Sequence, residues 1–211
     1  MPTIELIFCH GWGYTSQIFE QLAQKLAKNF LVQNIDLGFF NHPTPININS
    51  NHYNIWISHS YGLMFGKLNY DNYIHKYIAI NPILSFNKFE KSIQAMLYSL
   101  QKDRVFSTLT KFYQLCDDKN PPEFINFNKN TLISALKDML NFDKNLCNNT
   151  KYMHFLHGKQ DIFYEDNLYS NTHISHKAIL GGHLLPIYNS SQVEHFIRII
   201  LFDTVAKLLQ N

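Results

Sequence analysis

Ser58-His59-Ser60-Tyr61-Gly62 places a serine among small residues directly after the apolar run Tyr53 to Ile57. A serine on a sharp turn between a strand and a helix can attack a carbonyl carbon. The two backbones pass close together at such a turn, so residues two before and two after the serine must be small. Ser60 is so placed, with Gly62 after it and Ser58, where glycine is usual, before it. A neutral hydroxyl is a weak nucleophile, so the same chemistry needs a base, and the base needs an orienting carboxylate. Where the serine sits on such a strand-to-helix turn, these follow it in the order Asp or Glu, then His. Asp161, in His157-Gly158-Lys159-Gln160-Asp161, and His183, in Gly181-Gly182-His183, stand in that order, each just after a short apolar run. His183 would take the proton of Ser60 and return it to the leaving group, while Asp161 fixes the tautomer and stabilises the imidazolium. The oxyanion needs two N–H donors, expected from Tyr61 and from Trp12 in the loop His10-Gly11-Trp12-Gly13. Taken singly, a strand-end serine is more often a helix cap and a loop aspartate a turn residue. Order and placement together point to acyl transfer. Asp166 is a second candidate acid and His157 a second candidate base, both less well sited after the strands.

Elements able to bring these residues together are legible in the apolar spacing. Ile4 to Cys9 reads as a buried strand, followed by a helix carrying Ile18, Phe19, Leu22, Leu26 and Ala27 on one face. Phe30 to Ile35, Tyr53 to Ile57, Tyr77 to Ile80, Met153 to Leu156 and Lys177 to Leu180 read as five further strands. Tyr61 to Leu68 and Gln192 to Leu209 read as helices. Strands separated by helical runs predict right-handed crossovers and a mostly parallel sheet, hence an α/β, doubly wound fold. From Ser85 to about Asn149 no strand pattern occurs. Ile93, Met96, Leu97, Leu100, Val105, Leu109, Phe112 and Leu115 recur there at helical spacing, which predicts a helical insertion at 85–149 between core segments 1–84 and 150–211. Loops at the carboxyl ends of parallel strands open on one crevice, so residues far apart in sequence can meet there.

Composition bounds the partners. The 211 residues are 45% hydrophobic and 16% charged, enough to bury one sizeable core and too apolar for a disordered chain. A formal net charge of +2 raises little potential toward nucleic acid or anionic lipid, so neither is an expected partner. No window approaches the roughly 20 apolar residues of a membrane span. Cys9, Cys116 and Cys147 are odd in number and match no metal-ligand spacing, so free thiols are expected. With no basic, apolar leader at Met1 to Phe8 the expectation is a cytoplasmic monomer. The insertion is aromatic, with Phe86, Phe89, Phe106, Phe112, Phe124 and Phe127 expected mainly to pack it on the body, a few facing an apolar pocket.

The segments Phe8-Cys9-His10-Gly11-Trp12-Gly13, Ile35-Asp36-Leu37-Gly38-Phe39, Ser58-His59-Ser60-Tyr61-Gly62, Gly158 to Asp161 and Gly182-His183 resemble those of α/β-hydrolases from about Ile4 to Leu201. More narrowly, the His-Gly-Trp-Gly loop is similar to that of the pimeloyl-[acyl-carrier protein] methyl ester esterases of biotin synthesis. The resemblance implies a serine carboxylesterase that needs no metal or organic cofactor, with Ser60, Asp161 and His183 as its catalytic residues. It implies oxyanion donors from Trp12 and Tyr61, and a helical cap over the acyl chain. Lys111-Phe112-Tyr113-Gln114-Leu115 is similar to the cap segment lining the acyl tunnel, which marks Phe112 and Leu115 as substrate-binding. An acidic carrier protein would dock on cap cations, here Arg104 with Lys102, Lys111 and Lys119. A generic short-chain acyl esterase or thioesterase, and a non-catalytic binding protein on the same fold, are the alternatives. A dehalogenase would need an aspartate at position 60.

Overall fold

The computed structural model describes residues 2–83, 88–122, 126–143, 153–164 and 175–210. Six strands form one sheet: β1 (Ile4–Cys9), β2 (Leu31–Ile35), β3 (Tyr53–His59), β4 (Lys76–Ile80), β5 (Met153–Gly158) and β6 (Ser175–Ile179). Their order is β2-β1-β3-β4-β5-β6 and every neighbouring pair is parallel. The central strands β1, β3 and β4 are buried almost throughout, as parallel strands covered on both faces must be. β3 runs two residues past the expected end at Ile57. Ser58 and His59 pair with Ala79 and Ile80 of β4, so their polar side chains do not interrupt the ladder. β6 begins two residues earlier than expected and ends before Leu180.

Alternation along β4 reveals the two helical layers. Lys76 reaches α7 (Ser190–Gln210), where its ammonium donates to Thr204 at 2.6 Å. Its neighbour Tyr77 points to the opposite face, toward α2 (Gly62–Tyr70) and the turn after it. There the phenol donates to Asp71 at 2.8 Å and lies under the Lys67 ammonium. Trp56 of β3 stacks on Phe65 and Tyr70 of α2 and donates its indole N–H to the Gly62 carbonyl at 2.9 Å. α1 (Glu20–Leu26) lies beside α7, the two joined by a Lys25–Glu194 ion pair at 2.8 Å. The short α6 (Leu185–Tyr188) leads into α7. Among the described residues no helix is long and apolar enough to cross a membrane.

Between β4 and β5 come three helices, α3 (Glu90–Gln101), α4 (Val105–Leu115) and α5 (Lys129–Asn141), with no intervening strand among the described residues. Each is amphipathic and buries its apolar stripe, through Ile93 and Leu100, Val105 and Leu109, and Leu132, Ala135 and Leu136. Of the six aromatics expected in this segment, Phe112 is buried, Phe106 and Phe127 are exposed and Phe89 packs on Phe163. Phe86 and Phe124 lie outside the described residues, as do Cys147, Asp166 and the expected boundaries 85 and 149. Cys9 and Cys116 are free, buried thiols.

The chain leaves β1 for β2 on one side and returns to β3 on the other. The crevice at their carboxyl ends is the switch point where parallel sheets leave room for a ligand. Backbones crowd at this rim. A Cβ at Gly158 would lie 2.3 Å from the Gly181 carbonyl oxygen, an atom that cannot move without disturbing β6. Gly158→Ala is therefore expected to destabilise the fold by about 3 kcal/mol. Urea unfolding followed by circular dichroism measures this directly.

Candidate active site

Ser60 follows β3 directly with a φ of 52°, left-handed for a residue that bears a Cβ. Such a conformation costs on the order of 1 kcal/mol and persists only where the surroundings enforce it. The Ser60 N–H is held by the Ile80 carbonyl at 3.0 Å, and the Ser60 carbonyl accepts from Leu63 at 3.3 Å. Gly62 then passes so close to β1 that a Cβ there would sit 2.4 Å from the Cys9 carbonyl oxygen. Position 58 accommodates serine in place of glycine, fully buried within the sheet.

The loop after β1 lies directly against the serine, since a Cβ built on Gly11 would fall 2.9 Å from the Ser60 Cβ. Trp12 and Tyr61 thus approach Ser60 from two different segments. Neither backbone N–H has an acceptor among the described residues. The loop is fixed by His10, which bonds the Gly11 carbonyl through Nδ1 at 2.9 Å and accepts from the Leu37 N–H at Nε2, 2.8 Å.

Asp161 and His183 meet across the ends of β5 and β6. His183 Nδ1 lies 2.9 Å from Asp161 Oδ2, and both side chains are 1% exposed. A carboxylate can only accept, so Nδ1 is the donor of this pair. The second oxygen, Oδ1, accepts from the Phe163 N–H at 3.0 Å. Burial pushes the Asp161 carboxyl up. The His183 charge and hydrogen bond, with the Phe163 N–H, outweigh this and hold it below its ordinary value. His183 Nε2 is buried without a hydrogen-bond partner, and Ser60 Oγ is not bonded to it. Phe163 and His59 flank the imidazole, each with ring centroids 4.8 Å away. His157 faces elsewhere, its buried ring packed against Tyr164 and His176.

A cavity of about 140 Å3 opens over Ser60. Trp12 forms one wall, α3 contributes Ile93 and Met96, α4 contributes Phe112 and Leu115, and α5 contributes Leu136 and Met139. Ile162 and Phe163 complete the side next to Asp161. Among the described residues that line it, Ser60 and Ser92 supply the side-chain hydroxyls and none is charged. Among the described residues no group of three His, Cys, Asp or Glu side chains is placed to hold a metal ion.

Two residues that organise this site are absent from the sequence reading. Asn81, whose dipeptide with Pro82 reads only as the stop of β4, adopts a left-handed φ of 47°. Its amide donates to the Gly182 and His183 carbonyls at 2.8 and 2.6 Å, and its oxygen accepts from the Gly158 N–H at 2.8 Å. It thus clamps the loops bearing Asp161 and His183. His59 donates through Nε2 to the same His183 carbonyl at 2.9 Å. Burial and the nearby His183 push the His59 pKa down to about 3. The unfolded chain therefore takes up a proton that the folded chain refuses between pH 6.5 and 3. Stability contributed at neutral pH is lost as pH falls through that window, with a slope of up to about 1.4 kcal/mol per pH unit. His59→Gln is expected to flatten the pH dependence of the urea midpoint there, and an unchanged slope would count against this assignment.

No protein-family model and no curated protein matches the sequence. Among solved structures, a hydrolase from Pseudomonas aeruginosa PA01 superposes with a TM-score of 0.76 at 10% identity, over 94% of this chain and 90% of that one. MenH from S. aureus gives 0.74 at 14% identity, over 96% and 95%. A thermophilic esterase from Thermogutta terrifontis gives 0.72 at 13%, over 96% and 90%. Together with the parallel sheet, its strand order and the helices on both faces, these likenesses establish that the chain has the α/β-hydrolase fold.

Proposed function

We propose that this protein is a serine hydrolase that cleaves a carboxylic ester with a neutral, apolar acyl group. The observation that carries the reading is the buried Asp161–His183 hydrogen bond at 2.9 Å, with the remaining imidazole nitrogen unpartnered among the described residues and the ring packed on Phe163, which lines an apolar cavity together with Ser60. In this reading Ser60 Oγ attacks the ester carbonyl as His183 Nε2 takes its proton. The Trp12 and Tyr61 N–H groups receive the oxyanion, and His183 returns the proton to the departing alkoxide. Water then repeats the cycle on the acyl-enzyme. Asp161 stays ionised throughout and steadies the imidazolium. Segment 85–149 serves as the lid, with Phe112 and Leu115 contacting the acyl chain.

The substrate best supported is the methyl ester of a pimeloyl chain held on acyl-carrier protein. The His10 to Gly13 loop supports it, as does a cavity whose described lining offers a methylene chain apolar walls and no charged side chain. Lys102, Arg104, Lys111 and Lys119 are exposed on the lid segment, where an acidic carrier would approach.

Ser60→Ala is expected to abolish turnover of short p-nitrophenyl esters, lowering kcat at least about a thousandfold, with unchanged circular dichroism. Retained turnover would remove the mechanism. The wild-type gene is expected to restore growth of a biotin auxotroph lacking its own pimeloyl methyl esterase, and the Ser60→Ala gene is not. A wild-type gene that hydrolyses p-nitrophenyl esters but fails to complement would assign the chain to generic acyl esters or thioesters instead.

A further inference from the structure

Both residues that bracket Ser60 send their side chains out of the α/β body to the same lid helix. The Trp12 indole N–H donates to the Leu132 carbonyl of α5 at 2.9 Å. The Tyr61 hydroxyl donates to Asp138 Oδ2, also on α5, at 2.7 Å. Tyr61 is buried, and burial together with the Asp138 hydrogen bond pushes its phenol up, so it remains a donor at any physiological pH. The two anchor points are six residues apart, about 9 Å along the helix axis. Between and beside them, Leu136 and Met139 of the same helix form a wall of the cavity above Ser60. Helix α4 adds a third tie, the Tyr113 hydroxyl donating to the Gly13 carbonyl.

An ordinary packing contact would not need polar anchors at both of these positions. A hydrogen-bonded strut fixes the separation of two backbone segments, which is the quantity an oxyanion hole depends on. Donors help only when they stand 2.7–3.1 Å from where the charge develops. We infer that α5 is the strut that sets the oxyanion donors, with Asp138 and the Tyr61 hydroxyl as positioning residues. This rests on the hydrolase reading above and adds to it a role for the Asp138 carboxylate and the Tyr61 phenol, groups that touch neither substrate nor the reacting atoms. Misplaced donors weaken the transition state more than the bound ester, so the effect falls on kcat and not on KM.

Steady-state kinetics on p-nitrophenyl butyrate test this with three variants of the full chain. Tyr61→Phe deletes a single oxygen, Asp138→Leu removes the acceptor, and Asp138→Asn keeps an acceptor oxygen. Tyr61→Phe and Asp138→Leu are each expected to lower kcat about tenfold with KM within about twofold, and Asp138→Asn to retain at least about half of wild-type kcat. If Asp138→Leu does not fold, Tyr61→Phe alone decides. Unchanged kcat in Tyr61→Phe, or a kcat in Asp138→Asn as low as in Asp138→Leu, would overturn the strut while leaving the hydrolase reading intact. A wild-type chain that turns over no ester would remove both.

Discussion

The fold is built around one costly arrangement, a carboxylate and an imidazole hydrogen-bonded to each other with almost no exposure to water. Removing such a pair from solvent costs several kcal/mol per charge unless every remaining polar contact is made. Here those contacts come from backbone. Phe163 N–H occupies the second oxygen of Asp161, and Asn81 and His59 both bond the carbonyl of His183. The loops after β4, β5 and β6 therefore cannot shift independently. Gly158 is what permits the last two to lie this close, since a Cβ there would fall 2.3 Å from the Gly181 carbonyl oxygen and 2.5 Å from that of Gly182.

On the other side of Ser60 the constraint is steric. The left-handed serine, Gly62 against Cys9 and Gly11 against Ser60 compress two strand ends and one helix start into a single turn. The polar pair and the strained turn meet at the switch point of the sheet. Helices α3, α4 and α5 cover it with apolar side chains and are tied to the rim by the Trp12 indole and the Tyr61 hydroxyl, which donate to α5, and by the Tyr113 hydroxyl of α4, which donates to Gly13.

Much of this was legible in the sequence because strand ends carry strong local signals. Apolar runs closed by Gly-Trp-Gly, Ser-Tyr-Gly, His-Gly and Gly-Gly mark the rim, and Ser60, Asp161 and His183 sit beside those runs in chain order. Boundaries slipped where polar residues continue a strand, as at Ser58 and His59, because pairing with β4 decides the matter and polarity does not. Asn81 and Asp138 were invisible for a different reason. Each acts through a tertiary hydrogen bond to a partner far away in the chain, and one asparagine in a chain rich in them carries no local mark. The helical insertion was readable as amphipathic periodicity, but its attachment to Trp12 and Tyr61 was not, since a hydrogen bond to a distant helix carbonyl or carboxylate leaves no trace in spacing.

The most direct test of the central claim is mass mapping of a fluorophosphonate adduct on the folded protein. This reagent is captured only by a serine whose hydroxyl is activated by a correctly held imidazole. The account predicts a single adduct on the peptide containing Ser60, formed far more slowly once Asp161→Asn spoils the tautomer of His183. An unlabelled Ser60 in folded protein, or labelling that does not depend on Asp161, would contradict it.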